Sequence, residues 1–488
     1  MKTQNAYEKY YQDKRTKDLQ ITIYGYSPPS NGKYNVDGKE YDVGEDFRTV
    51  ERYQEYVNAG MNTLLMQSTG VYRGEEWETS QTKRVMDNAY AAGIKKIIVL
   101  DDRVYWLSRS EDGLFGDGEF NENIQKYGQR KYKFKDEAEL DAYLIECMKP
   151  YVNHPAFDGM QIVDEPPIPL FKSISQLWKA LKRVCPKGTV HCNLFPLASL
   201  YTTNTIYPQG GDLYERFQAY LTQFVEATGA DYVMYDNYPI CEGKADGTAI
   251  HRLYFRGLQE ATEVCQKKNV DLHFVVQSFG MTTNGVIRHR FPTEAEMYYQ
   301  VNAVLGFGAK ELSYFTYWNK ADNNTKGEYF PDGEAIISRD GTRTPMYEIV
   351  KAVNAMAQKL APVLMSCKYL ASQYVLHTPW YSHPFHLEHT KQYPLKKIVE
   401  AETDQDVALI NELYDEERNQ YVYRVQNITY PYYYNDLPDP KQRTVITFAD
   451  EFTKADVFDG KEWKTVELKN HQYTAISEPG YAEYILPY

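Results

Sequence analysis

Residues 153–167 read "NHPAFDGMQIVDEPP". The apolar run "MQIV" stops on two adjacent carboxylates, Asp164 and Glu165, and then on two prolines. A carboxyl group can hold a proton for a leaving group or stand charged against a developing cation. Two carboxyls in different surroundings can divide those tasks. The prolines fix the backbone behind the pair, and rigidity favours a placed chemical group.

Other apolar runs end in a comparable way. The run from Asn62 ends near Gln67, and the run from Ile94 ends on Asp101 and Asp102. The run from Thr189 reaches Asn193, and "DYVMYDNYP" from Asp231 carries Tyr235, Asp236, Asn237 and Tyr238. "LHFVVQSFG" carries Gln277, and "ELSYFTYW" ends on Tyr317 and Trp318, followed by Asn319. No lysine stands at these tips, which weakens Schiff-base chemistry. No histidine stands there either, which weakens metal-assisted hydrolysis, so no metal and no cofactor are expected.

Acids, amides and aromatics together suit acetal cleavage, which needs one carboxylic acid to protonate the leaving oxygen and another group to meet an oxocarbenium-like centre. The expectation is Glu165 as general acid and Asp236 as the second carboxylate. Asp164, Asp102, Asn193, Tyr235, Tyr238, Gln277, Trp318 and Gln67 are expected to bind the sugar. A carboxyl gap of about 5–5.5 Å would imply retention of configuration, and one of about 6.5–9.5 Å inversion. The plainer reading of a single Asp at a strand end is a helix N-cap, and it suits Asp101 and Asp102.

The elements that must position these groups are legible. Eight short runs, most of them continuously apolar, alternate with eight amphipathic stretches between about residues 20 and 365, as parallel strands covered on both faces require. The stretches have end signals: "TSQTKRVMDNAYAAG" starts on a Thr/Ser cap and stops at Gly93. Eight such units predict a (β/α)₈ TIM barrel whose functional groups lie at the carboxyl ends of the strands. "GYSPPSNGKY" after the first strand lacks the glycine pattern of a nucleotide-binding turn. Long insertions at 103–135 and 195–211 are expected to build the functional face. From about residue 368 the pattern becomes short alternating strands such as "YVYRVQNITY" and "AEYILPY". Two domains are therefore expected: a barrel over 1–366 and an all-β sandwich over 367–488.

Bulk properties exclude other classes. The chain has 488 residues, a formal charge of −13 and no cluster of basic residues, which argues against nucleic acid as a partner. No apolar run of about 20 residues exists, so no membrane partner is expected. The opening residues lack an apolar leader, and six cysteines are scattered without a CxxC spacing. Both fit a cytoplasmic protein, and a mature secreted protein would look the same. Tyrosine accounts for 45 residues, and its ring and hydroxyl suit sugar faces and edges. His383, His386 and His389 stand three apart, a spacing that reads more readily as incidental than as a metal site. The oligomeric state stays open, a homo-oligomer among the options.

"NHPAFDGMQIVDEP" resembles the fourth-strand signature of (β/α)₈ glycoside hydrolases of the large retaining superfamily, where the Glu is the acid/base. "TEAEMYYQVNAVLGFGAKELSYFTYW" and "RDGTRTPMYEIVKAVN" resemble the last units of β-galactosidase-like members. The resemblance implies a carbohydrate substrate and a nucleophilic Glu on the seventh strand, where this chain has Gln277. "DGMQIVDE" and "VMYD" also resemble the fourth and sixth strands of chitinase-type barrels, with Gln161 and Val163 in place of two acids. Adjacent Asp–Glu pairs serve hexosaminidase-type barrels, which use the substrate's acetamido group as nucleophile. Three readings follow: a two-carboxylate glycosidase, a substrate-assisted N-acetylhexosaminidase using Asp164 and Glu165, or a carbohydrate-binding pseudoenzyme.

Overall fold

The structure, a computed structural model, describes residues 6–11, 22–26, 33–36, 39–42, 47–68, 74–197, 199, 210–241, 253–320, 326–377, 391–429 and 441–488. For 22–26, 33–36, 39–42 and 67–68 it describes the backbone.

The eight expected runs are strands: β1 (Thr22–Tyr26), β2 (Thr63–Ser68), β3 (Lys96–Asp101), β4 (Phe157–Asp164), β5 (Thr189–Asn193), β6 (Tyr232–Asp236), β7 (Asp271–Gln277) and β8 (Ala309–Phe315). They form one sheet in which every neighbouring pair is parallel. The order is β5-β4-β3-β2-β1-β8-β7-β6, so chain neighbours are also sheet neighbours and β1 lies beside β8. The two outer strands of that order meet at one point. Leu194, directly after β5, forms a parallel bridge with Tyr235, and its N–H donates to the Met234 carbonyl at 2.9 Å. Burial follows composition: all five residues of β6 are buried, as strands covered on both faces must be.

One long helix separates or follows each strand: α1 (Val50–Asn58), α2 (Gln81–Ala91), α3 (Glu137–Met148), α4 (Phe171–Val184), α5 (Leu213–Thr228), α6 (Tyr254–Lys268), α7 (Glu294–Gly306) and α8 (Pro345–Leu364). Their starts are set by side chains that satisfy the first free N–H groups. Ser80 accepts from Lys83 N, and Asp212 with Glu215 and Thr293 with Glu296 form reciprocal capping boxes.

The insertion after β3 holds the short helices Asp102–Tyr105 and Glu122–Tyr127 and a 3₁₀ turn at Trp106–Arg109. Most of 195–211 lies outside the described residues, as do His383, His386 and His389. The sequence reading did not anticipate a small antiparallel sheet built from the connections after β7 and β8. Its middle strand, Met281–Thr283, pairs with Val286–His289 on one side and Glu328–Tyr329 on the other.

Beyond α8 the chain is antiparallel β structure. The strands are β9 (Lys368–Leu376), β10 (Ile398–Thr403), β11 (Val407–Asp415), β12 (Gln420–Asn427), β13 (Gln442–Phe448), β14 (Lys454–Phe458), β15 (Trp463–Glu467), β16 (Gln472–Ser477) and β17 (Ala482–Pro487). They make a six-stranded sheet, β9-β11-β12-β17-β14-β15, and a three-stranded sheet, β10-β13-β16. Ile410, Val425 and Ile485 of the first share an apolar cluster with Ile446, Phe448 and Ala475 of the second.

The six-stranded sheet also packs on the helices of the parallel unit. One apolar cluster runs from Leu64 and Val99 to Leu409, Val422 and Leu486. Arg424 of β12 is fully buried there, and its Nη1 donates to the Asn302 carbonyl at 2.9 Å and also to Gln426, while its Nη2 donates to Asn411. A Cβ on Gly306 would stand 2.2 Å from Arg424 Nε, so only glycine lets the guanidinium in. The helix Ala6–Tyr10 docks on the same sheet. Tyr7 N donates to Asp456 Oδ2 at 2.7 Å, and the Tyr7 ring stacks on Trp463 at 4.8 Å. Thus residues 6–11, expected to belong with the first unit, pack on the second.

Candidate active site

The acid pair sits where β4 ends, and three backbone features aim it. Gly159 runs so close to β5 that a Cβ would lie 1.9 Å from the Thr189 carbonyl oxygen. The register then shifts between Gln161 and Val163, a bulge that rephases β4 and sets Asp164 opposite Asn193. Glu165 has φ 45°, the left-handed region, and its N–H donates to the Asn193 carbonyl at 2.8 Å. In a regular strand, consecutive side chains point to opposite faces. The turn at Glu165 breaks that alternation and brings the Glu165 carboxyl to Asp236, while Asp164 is held by Asn193. A non-glycine residue held in this region costs on the order of 1–3 kcal/mol, and such residues gather at functional sites.

Asp236, the last residue of β6, is 5% exposed. Its carboxyl lies within hydrogen-bonding reach of Glu165, Tyr238 and Asn193. Asn193 Nδ2 also donates to Asp164 Oδ1 at 3.1 Å. Burial raises Glu165 most, followed by the charges of Asp236 and Asp164, and together they push it up to about 9. Burial and the Asp164 charge raise Asp236 to about 7, against the hydrogen bonds from Tyr238 and Asn193 that favour its ionised form. Burial also raises Asp164, opposed by the Asn193 bond and by Lys320, Arg109 and Lys326. Two carboxyls in contact cannot both ionise cheaply, so the pair keeps one proton at neutral pH and titrates as a unit. Asp236 Oδ1 and Asn193 Oδ1 are buried and accept no hydrogen bond among the described residues.

Groups outside the expected set complete the surroundings. Arg109 Nη2 donates to the Asp164 carbonyl at 3.1 Å and to Tyr105 Oη at 2.8 Å. Phe315, the last residue of β8, stacks on Tyr238 at 5.6 Å and meets Phe279 edge-on at 5.0 Å. Lys320 Nζ stands 4.6 Å from the centre of the Phe315 ring. The small sheet carries this wall: Phe279, Met281 and Phe330 cluster with Tyr238 and Phe315. Lys320 follows the end of β8 closely, whereas Arg109 is brought to Asp164 by the short helix and 3₁₀ turn after β3, which residue type alone does not announce.

The other expected site residues divide. Glu165, Asp236, Asp164, Asn193 and Tyr238 come together. Tyr235 does not: one residue before Asp236 on a regular strand, it points the opposite way and packs on Phe217 and Phe274. Gln277 is fully buried and its amide is consumed by backbone. Its Oε1 accepts from Ile240 N at 2.9 Å, and its Nε2 donates to the carbonyls of Ile240, Phe279 and Arg290. Gln277 therefore bolts the loops after β6 and β7 and, fully buried, presents nothing to a sugar. Trp318 is 5% exposed and packs on Phe47 at 4.6 Å, so it is not an open floor. Asp101 is the N-cap of the helix Asp102–Tyr105 and ion-pairs with Arg103 at 2.7 Å. Asp102 opens that helix, half-buried, and the groups of this insertion that act on Asp164 are Tyr105 and Arg109. The Gln67 side chain lies outside the described residues. Among the described residues no group of three or more His, Cys, Asp or Glu side chains could hold a metal.

No protein-family model matches the chain, and no curated protein shows significant sequence similarity to it. Solved structures align over most of its length. An α-amylase from Anoxybacillus shares 12% identity over 97% of this chain and 99% of its own, with a TM-score of 0.49. An α-amylase from Geobacillus thermoleovorans complexed with acarbose shares 13% over 97% and 98%, with a TM-score of 0.48. A GH2 β-galacturonidase from Eisenbergiella tayi shares 12% over 69% and 51%, with a TM-score of 0.39. At such values the reading of this chain rests on its own strands and side chains.

Proposed function

We propose that this protein is a glycoside hydrolase with Glu165 as proton donor. On this reading the eight parallel strands close through the Leu194–Tyr235 bridge into a (β/α)₈ barrel, followed by a β-sandwich. The reacting groups then lie at the carboxyl ends of β4, β5 and β6, the functional face of such barrels. The observation that carries the proposal is the placement of the Glu165 carboxyl at the end of β4 against the buried Asp236, a setting in which burial and like charge raise Glu165 well above an ordinary Glu. A general acid needs that property to protonate a leaving-group oxygen near neutral pH. Asn193, Tyr238 and Asp164 provide hydrogen-bonding groups for sugar hydroxyls.

The contact between the two carboxyls favours a particular course. Asp236 in contact with the acid is badly placed to attack from the opposite face of the sugar ring, and Gln277 cannot attack at all. A neighbouring group on the substrate, such as a 2-acetamido carbonyl, would supply the trap for the anomeric centre, with Asp164 or Asp236 steering it. The test is a panel of nitrophenyl glycosides with and without a 2-acetamido group, the product anomer read by NMR. Cleavage is expected, reduced at least about 10³-fold by Glu165→Gln and by Asp236→Asn, a loss on the scale of removing a general acid. Full activity in Glu165→Gln would overturn the assignment. Sugar binding without turnover by the unaltered protein would leave a binding protein instead.

A further inference from the structure

The backbone around Glu165 is held from three directions. The Asp164 carbonyl accepts from Arg109 Nη2 at 3.1 Å, and the Glu165 N–H donates to the Asn193 carbonyl at 2.8 Å. The Pro166 carbonyl accepts from the hydroxyl of Tyr220, a fully buried residue of α5, at 2.7 Å. Asn193 and Tyr220 belong to the repeating strands and helices of the parallel unit. Arg109 comes from the insertion after β3.

The turn needs such support. Glu165 has φ 45°, and it precedes a proline, which by itself pushes a residue toward extended backbone. Local preference therefore runs against the turn, and tertiary contacts must over-determine it. The peptide that joins Asp164 to Glu165 is gripped at both ends, its oxygen by Arg109 and its N–H by the Asn193 carbonyl. A change of φ at Glu165 turns either that peptide or the Pro166 side of the chain, and each is tied.

Arg109 is itself anchored. Its Nη2 also donates to Tyr105 Oη at 2.8 Å, and its guanidinium lies 5.3 Å from the centre of the Tyr105 ring. The 3₁₀ turn that carries it is pinned to α4. Ser173 Oγ donates to the Ser108 carbonyl at 2.6 Å, and both serines are fully buried. Because α4 is the helix that follows β4, the insertion is braced on the same unit that it supports. Charge neutralisation explains Arg109 less well. Its bond is to a backbone oxygen of Asp164, whose carboxyl stays raised beside it.

We propose that Arg109 is a positioning residue for the proton donor, holding the left-handed turn that aims the Glu165 carboxyl. This rests on the reading of Glu165 as general acid, and it gives the insertion after β3 a task in the reaction.

The test compares Arg109→Met and Arg109→Lys with the parent on two leaving groups. A phenyl glycoside needs its leaving oxygen protonated, and a dinitrophenyl glycoside does not. Arg109→Met should lose about 10²-fold in kcat on the phenyl substrate, the cost of a misplaced group, with KM nearly unchanged. On the dinitrophenyl substrate its loss should stay below about threefold. Arg109→Lys keeps the charge without the planar fork, so it should lose at least about tenfold on the phenyl substrate. It also carries the test if the Met variant does not fold. Equal losses on both substrates, or a Lys variant as active as the parent, overturn the proposal while the hydrolase reading stands.

A second readout needs no turnover. The infrared band of the Glu165 carboxyl, identified in each background by its loss on Glu165→Gln, is followed against pH. Removal of a nearby cation alone would raise the titration of Glu165. Release of the turn lets the carboxyl move toward water, and its titration falls. A fall of at least about one pH unit is expected in Arg109→Met. No change, or a rise, overturns the proposal. If the parent cleaves no glycoside, the hydrolase reading fails, and the titration still decides whether Arg109 holds the turn.

Discussion

Glu165 illustrates how a reactive residue works against its own fold. Its carboxyl is neutral in both folded and unfolded chains well below pH 4.5. As pH rises from there, the unfolded chain ionises and the folded one does not, up to about 9. The folded state is thus disfavoured progressively across that window. Glu165→Gln removes the titration. Thermal melts should show the variant more stable than the parent at pH 8, by roughly 1–3 kcal/mol after allowance for partial solvent access, and indistinguishable at pH 4. A variant equally or less stable at pH 8 would show that the carboxyl is not held protonated. Loss of activity with gain of stability is the pattern expected of a catalytic group rather than a structural one.

At the scale of elements, Gln277 shows what a strand tip can do other than chemistry. Restoring the acid that retaining enzymes carry there would not restore a nucleophile. Gln277→Glu replaces a donor facing three carbonyl oxygens with an oxygen, and buries it. Destabilisation of about 2–4 kcal/mol is expected, from lost hydrogen bonds and a carboxyl among acceptors, with no gain in activity. Denaturant titration reads this directly, and an unchanged midpoint would refute the bolt. The eight strands and eight helices were legible because continuous apolar runs, caps and closing glycines repeat along the chain. Glu165, Asp236, Asp164, Asn193 and Tyr238 followed from their places at strand ends. Tyr235 was misjudged because strand alternation was not applied to it, and Trp318 because burial by Phe47 comes from a distant segment. The bulge in β4 and the turn at Glu165 leave no mark on residue type. The small sheet after β7 and β8 pairs Thr282 with Tyr329 and Thr283 with Glu328, across a separation that no local pattern announces.

At the scale of the whole molecule, the parallel and antiparallel units share one apolar cluster and a buried arginine that donates to both. Interfaces between independently moving domains are more polar than a shared apolar core of this kind. Unfolding should therefore be a single event. Far-UV circular dichroism and tryptophan fluorescence should report the same denaturant midpoint, and two separated transitions would contradict the shared core.

The docking of the helix Ala6–Tyr10 on Asp456 and Trp463 has a consequence for the order in which the molecule can be made. The hydrogen bond from Tyr7 spans 449 residues of chain. Its partner strands are translated well after it, so this segment has nothing to bind until the hundreds of residues between them have been made. Through that interval Tyr7 and Tyr11 are uncovered, and completion of the fold waits on β14 and β17 to shelter them.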